Sequence, residues 1–110
     1  MNRLRFSALA LGLTLVSGLV GTASFAATLD IMQKNRAFQP KVAEIQAGDT
    51  LNISNNDEFT HHLYVQSDSM TYDSGEKEPG QNAAVAFPKA GTFDVLCRIH
   101  PKMLLKVTVK

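Results

Sequence analysis

The amino-acid sequence predicts an all-β sandwich, and three observations carry that expectation. Short runs of alternating apolar and polar residues recur from residue 28 to the end of the chain. Gly, Pro, Asn and Asp gather between these runs. No stretch beyond residue 26 keeps a helical period. Short alternating strands at regular spacing, with turn signals between them, are the pattern of two packed sheets.

TLDIM (28–32) is a short alternating run. KVAEIQ (41–46) reads as a half-buried strand that sets Val42 apart from Glu44 and Gln46. AGDT (47–50) is a turn built on Gly48 and Asp49. TLNIS (50–54) alternates Leu51 and Ile53 with polar partners. HLYVQ (62–66) and AAVAF (83–87) follow, the second closed by the turn PKAG. TFDVLC (92–97) puts Phe93, Val95 and Cys97 on one face and Asp94 on the other. LLKVTVK (104–110) sets Leu105, Val107 and Val109 on one side. The polar, Gly- and Pro-containing segment 67–82 is expected to be the longest surface loop, one that could hold a short strand or turn.

The start of the chain has a different character. MNRLR is basic, residues 6–21 are apolar or small throughout, and TASFAA follows. These are the parts of a secretory signal peptide, with Ser24 and Ala26 in the small positions before a cut and Ala27 as the mature start. A transmembrane anchor is the competing reading. The run is interrupted by Gly and Ser and falls short of the roughly 20 apolar residues a span needs. No adjacent arginines mark a twin-arginine route. The expected organisation is a signal peptide over 1–26 and one domain over 27–110, exported to the periplasm without stable membrane insertion, as a monomer. Losing Arg3 and Arg5 takes the formal net charge from +1 to −1. No basic patch points to nucleic acid.

The single cysteine now becomes informative. In an oxidising compartment it has no partner within the chain. It is therefore paired between molecules, buried and inert, or engaged in chemistry. It stands in CRIHPKM (97–103), three residues before His100 and six before Met103. Thiolate, imidazole and thioether brought together on one loop favour copper or zinc over hard cations. A further ligand must come from elsewhere, and His61 and His62 are the other histidines. Two imidazoles and a thiolate with a long axial Met make the blue-copper arrangement, suited to electron transfer.

Three stretches then resemble the small blue copper proteins of the cupredoxin family, of the plastocyanin, amicyanin and pseudoazurin kind. AFQPKVAEIQAGDTLNISNN (37–56) resembles the family's F-x-P…G-D opening. NNDEFTHH (55–62) is similar to its N-N-x-G-F-P-H-N segment. AGTFDVLCRIHPKMLLKVTV (90–109) resembles its C-x-x-H…M ending, with a loop of amicyanin-like length. The resemblance implies a Greek-key β-sandwich and one copper ion at a type 1 site. It also implies the ligands His61, Cys97, His100 and Met103, with the electron passing through the exposed edge of His100. It selects His61 over His62 and places Phe59 and the Asn55–Asn56 pair beside the site.

The chain departs from the pattern in several places. Thr60 replaces the proline before His61, and His62 the asparagine after it. Glu58 stands where glycine is common, Ile99 where proline is, and Leu105 replaces a glycine. The expected function is a periplasmic one-electron carrier serving a redox partner such as a dehydrogenase, cytochrome or reductase, and not an enzyme. The alternative is an exported copper-binding or copper-delivery protein without a dedicated redox partner. An enzyme would need an open metal position, thinkable if Glu58 bound the metal in place of Met103. The acidic groups around residues 68–78 read as a solvated loop, or as a patch that steers a basic partner.

Overall fold

The computed structural model of the chain describes residues 25–110. The basic start and apolar run of the expected signal peptide lie outside the described residues. Among the described residues, nine strands, β1 (Thr28–Lys34), β2 (Ala37–Gln39), β3 (Val42–Ile45), β4 (Thr50–Asn55), β5 (His61–Gln66), β6 (Thr71–Lys77), β7 (Asn82–Ala86), β8 (Gly91–Cys97) and β9 (Leu104–Val109), form two sheets. One has the order β2-β1-β4-β7 and the other β3-β9-β8-β5-β6. The pairs β1–β4 and β3–β9 are parallel, and the remaining pairs are antiparallel.

Alternation decides what turns inward. Ile31, Leu51, Ile53 and Val85 of the first sheet meet Leu63, Val95, Leu105 and Val107 of the second in one buried cluster. Each such side chain contributes about 1.5–3 kcal/mol when fully buried. The inward sets expected for 50–54, 92–97 and 104–110 are the buried ones.

Three expectations change. In β3 the buried residues are Ala43 and Ile45, whereas Val42 is 66% exposed. The parallel register explains this, since Val42 pairs with Lys106 and Ala43 with Val107, so β9 fixes which face of β3 is internal. Second, 67–82 is not one surface loop, because its middle is the seven-residue strand β6. This strand is a sheet edge with no fully buried residue, so it prints no apolar alternation. Gly75 at φ 69° and a register shift between His62 and Tyr64 bend it further from the regular pattern. Third, β2 is an additional three-residue strand, turned back from β1 by Asn35 and Arg36 at φ 57° and 55°. Two consecutive left-handed residues are the signature of the tight hairpin turn that matches strand twist.

The two poles of the sandwich are closed differently. At one, Asp49 accepts hydrogen bonds from the N–H groups of Ala27 (2.8 Å) and Gln46 (2.9 Å). Gly48 N–H donates to Phe87 O (2.8 Å) nearby. At the other pole meet the start of β5, the end of β8, the loop before β9 and the β1–β2 turn.

The Ala27 N–H first, and then the Gln46 N–H, hold the Asp49 carboxyl below its ordinary range against a smaller opposing effect of burial. A depressed folded-state pKa adds stability that is present above the unfolded value of 3.8 and is lost as pH falls through the folded value. Asp49→Ala is therefore expected to lower the unfolding temperature at neutral pH. The gap from the parent should narrow as pH drops below 3.8, as followed by circular dichroism.

Candidate metal centre

Strand parity brings the donors together. His61 opens β5 pointing inward and is 0% exposed, while His62 falls on the outer face. Cys97 ends β8 on the same inward row as Phe93 and Val95. It pairs with Leu63, next to the histidines. The loop then turns tightly, with Met103 N–H donating to His100 O (2.9 Å). That turn leaves His100 partly exposed and Met103 buried.

Cys97 Sγ lies 3.6 Å from His61 Nδ1 and 3.7 Å from His100 Nδ1. The three donor atoms fall within 4.8 Å of one another. Two nitrogens at about 2.0–2.1 Å and a sulfur at about 2.3 Å from one ion would stand roughly 3.6–3.8 Å apart, N to S. The spacing and the soft donor set both suit a single copper or zinc ion. Met103 lines the same hollow as His100. Burial first, then the neighbouring His61 and Arg36, hold His100 below its ordinary pKa, with Asp57 pulling the other way. The shift favours the neutral imidazole, the form that binds a metal.

A residue that the sequence reading passed over organises this pole. Asp57 is 6% exposed, and its Oδ2 lies 2.8 Å from His61 Nε2. The same carboxylate accepts from the N–H groups of Asn35 (2.6 Å) and Arg36 (3.1 Å). With His61 Nε2–H committed to a carboxylate, the Nδ1 lone pair is the one that faces Cys97. Burial raises the Asp57 pKa. The hydrogen bonds from His61, Arg36 and Asn35 outweigh it, and the net direction is downward. The signal available in the sequence was a carboxylate four residues before the histidine, within NNDEF.

Asn55, 1% exposed, holds the connection in place. Its Nδ2 donates to Phe59 O (2.9 Å) and Lys77 O (2.8 Å), and its Oδ1 accepts from Asp57 N–H (2.9 Å). The Phe59 ring leans on both imidazoles, with centroids 5.5 Å from His61 and 5.3 Å from His100. Arg36 covers Phe59 at 4.6 Å from the ring centroid.

The departures from the family pattern have definite places. The His62 backbone N–H points at Cys97 Sγ (3.5 Å), and its ring bonds Asp73 Oδ1 (2.6 Å) on the surface. Thr60 Oγ1 donates to Glu78 (2.6 Å). Glu58 is exposed and is not among the clustered donors; the buried carboxylate is Asp57. Within the acidic segment Asp73 also binds Arg98 Nε (3.1 Å). The Gly75 N–H first, then His62 and Arg98, hold Asp73 down to about 2.

A family model described as the cupredoxin-like domain matches residues 7–109. A chloroplastic plastocyanin of Tetradesmus obliquus is 28% identical over 57% of this chain and 50% of its own length. Among solved structures, amicyanin of Paracoccus versutus superposes with a TM-score of 0.67 at 22% identity, covering 81% of this chain and 85% of that one. A copper-containing nitrite reductase of Thermus scotoductus superposes at 0.70 and 23% identity over 84% of this chain. This chain spans only 24% of the reductase and half of the plastocyanin. At these identities the structural likeness establishes the fold.

Asp57→Ala leaves three N–H donors at this pole without their acceptor. We expect a loss of about 2–4 kcal/mol of stability in the metal-free protein, measured by urea unfolding. Glu58→Ala, at the exposed neighbour, should stay within about 0.5 kcal/mol.

Proposed function

The chain belongs to the cupredoxin-like family, and on that premise we propose that it is an exported one-electron carrier with copper held by His61, Cys97, His100 and Met103. The observation that carries this reading is the convergence of His61 Nδ1, Cys97 Sγ and His100 Nδ1 on one point at the pole of the sandwich.

Copper bound there at a type 1 site supplies the one-electron change between Cu(II) and Cu(I). The residues of the chain supply everything else. Cys97 offers a thiolate from a rigid strand end, and the His62 N–H turned toward its sulfur tempers its charge. His61 is fixed from behind by Asp57, and Met103 offers a weak, soft donor from a buried position. Donors fixed by strands and hydrogen bonds move little when the charge at the centre changes, which keeps reorganisation small. Phe59 shields the imidazoles, and His100 alone of the four is partly exposed, so its edge is the route for the electron. A redox protein docked over His100 would be donor or acceptor. The nitrite reductase is a far longer chain, and its activity is not carried over.

The decisive experiment is a Cu(II) titration of the protein from Ala27 to Lys110, followed by visible absorption and electron spin resonance. An intense visible band with a narrow copper hyperfine splitting is expected. It should be lost in Cys97→Ser and His61→Ala and kept in His62→Ala. A pale spectrum with broad splitting, indifferent to Cys97, would instead support copper delivery. Met103→Ala should shift the potential; an unchanged colour and potential would argue for another axial group.

Export with cleavage before Ala27 is part of the same reading. The Ala27 nitrogen lies 2.8 Å from Asp49 Oδ1, so a free ammonium at that position would turn the hydrogen bond into an ion pair. The mature chain is expected to melt at a higher temperature than the same chain acetylated at Ala27. The difference should vanish at alkaline pH, where the amine loses its proton, and should be absent in Asp49→Asn.

A further inference from the structure

The five-stranded sheet is charged oppositely at its two edges. β6 forms one edge, and Asp68, Asp73, Glu76 and Glu78 lie on it or beside it, with Lys77 the one cation in that stretch. β3 forms the other edge, and Arg36, Lys41, Lys102 and Lys106 gather there with the loop before β9. Lys106 is paired with Asp94 (3.1 Å), and Glu44 of β3 with Lys110 (3.1 Å). Arg36, Lys41 and Lys102 take part in no ion pair among the described residues. Glu58 lines a separate hollow together with Lys34 and Arg36, and the Lys34 ammonium donates to Asn56 O (3.0 Å).

The same side carries three of the six large apolar residues that are exposed among the described residues, Leu29 and Met32 lying on β1 of the other sheet and Phe25 before it. Val42 is 66% exposed, Ile99 44% and Leu104 38%. A hollow of about 450 Å³ lies against Ile99, His100, Pro101 and Met103. A second, of about 360 Å³, continues past Met103 and Leu104 to Lys41 and Val42. An apolar strip rimmed by charge of one sign, running from a half-open imidazole to an unpaired sheet edge, is the form of a protein-docking surface.

We propose that the strip from His100 to Val42 is this protein's docking surface, and that its partner is a redox protein presenting an apolar patch ringed by Asp and Glu. The proposal rests on the carrier reading and adds the partner's chemistry and an off-centre footprint. Cations around the strip steer an acidic surface into contact, and the apolar strip excludes water beside the His100 edge. The acidic edge at β6 faces the other way, and Asp73 is already committed to His62 and Arg98.

The copper-loaded protein can be tested with two small one-electron reductants of opposite charge, hexacyanoferrate(II) and hexaammineruthenium(II). Each loses one electron as Cu(II) becomes Cu(I), with no proton or ligand transferred. In Lys41→Glu/Lys102→Glu the stopped-flow rate with hexacyanoferrate should fall roughly tenfold at low ionic strength. The rate with the ruthenium complex should rise, and both differences should disappear near about 1 M salt. Asp68→Lys/Glu76→Lys reverses as many charges at the far edge, and at about 0.1 M salt, where the Debye length is about 10 Å, it should change both rates less than Lys41→Glu/Lys102→Glu does. Paramagnetic hexacyanochromate(III) should broaden the amide signals of residues 41, 42, 102 and 104 in the Cu(I) protein. Broadening along β6, or a hexacyanoferrate rate that follows the β6 charges or neither set, would overturn the docking surface while leaving the carrier intact. If neither reductant delivers an electron to the copper, the carrier reading falls and the docking surface with it.

Discussion

One buried carboxylate ties the metal pole together. Asp57 collects an N–H from each of Asn35 and Arg36 and holds the far nitrogen of His61. A buried carboxylate without donors would be costly, and three donors make its burial sustainable. Left-handed backbone is uncommon for a residue such as Arg36, and the hairpin turn that adopts it is the one docked on Asp57. The turn places the Arg36 side chain over Phe59, and Phe59 leans on both imidazoles. Hairpin, connecting segment and ligand thus share one fastening. A chain with a single cysteine and no internal disulfide holds this pole by hydrogen bonds instead.

The same economy appears in the strands. β5 carries adjacent histidines, and its pleat gives them different work. His61 turns in toward Cys97. His62 turns out to Asp73, and its backbone N–H still reaches the sulfur. The amide expected after the first ligand is therefore not needed for that contact, because a backbone group makes it. Asn55 performs the tying role from the other end of the segment, binding Phe59 and Lys77 carbonyls across the connection.

Much of this was legible in the sequence, for identifiable reasons. Cys97, His100 and Met103 lie so close along the chain that a strand end and a tight turn suffice to gather two donors and bury the third beneath them. The core residues of β4, β8 and β9 were legible because each strand has one face buried, which imposes period two. Asp57 was not legible, because a carboxylate within NNDEF looks like an ordinary turn residue until the β1–β2 hairpin arrives from 22 positions away to cover it. β6 was legible only as a short strand or turn that a surface loop could hold, because neither of its faces is fully buried. In β3, a small Ala43 is buried and a larger Val42 exposed, a choice made by the parallel register with β9 and not by local hydrophobicity.

That exposed valine shows how fold and function meet at the sheet edges. Strand order alone puts β3 and β6 at opposite sides of the loop that carries His100. Short-range pairing then neutralises part of each side. Asp73 is taken by His62 and Arg98, and Lys106 by Asp94. What survives as field near His100 is set by the unpaired charges, and on the β3 side these are cations flanking apolar surface. A near-neutral chain can therefore be strongly polarised where it matters, because net charge averages over edges that a partner meets one at a time. The residues that hold the metal pole and those of the proposed docking surface overlap at Arg36. Its backbone secures Asp57, and its side chain lies between Phe59 and the His100 hollow. Changing the charge at that position would also remove the guanidinium that covers Phe59, while the backbone N–H on Asp57 would remain. Lys41 and Lys102 form no hydrogen bond or ion pair with the His61–Asp57 network, so their charges can change without unfastening it.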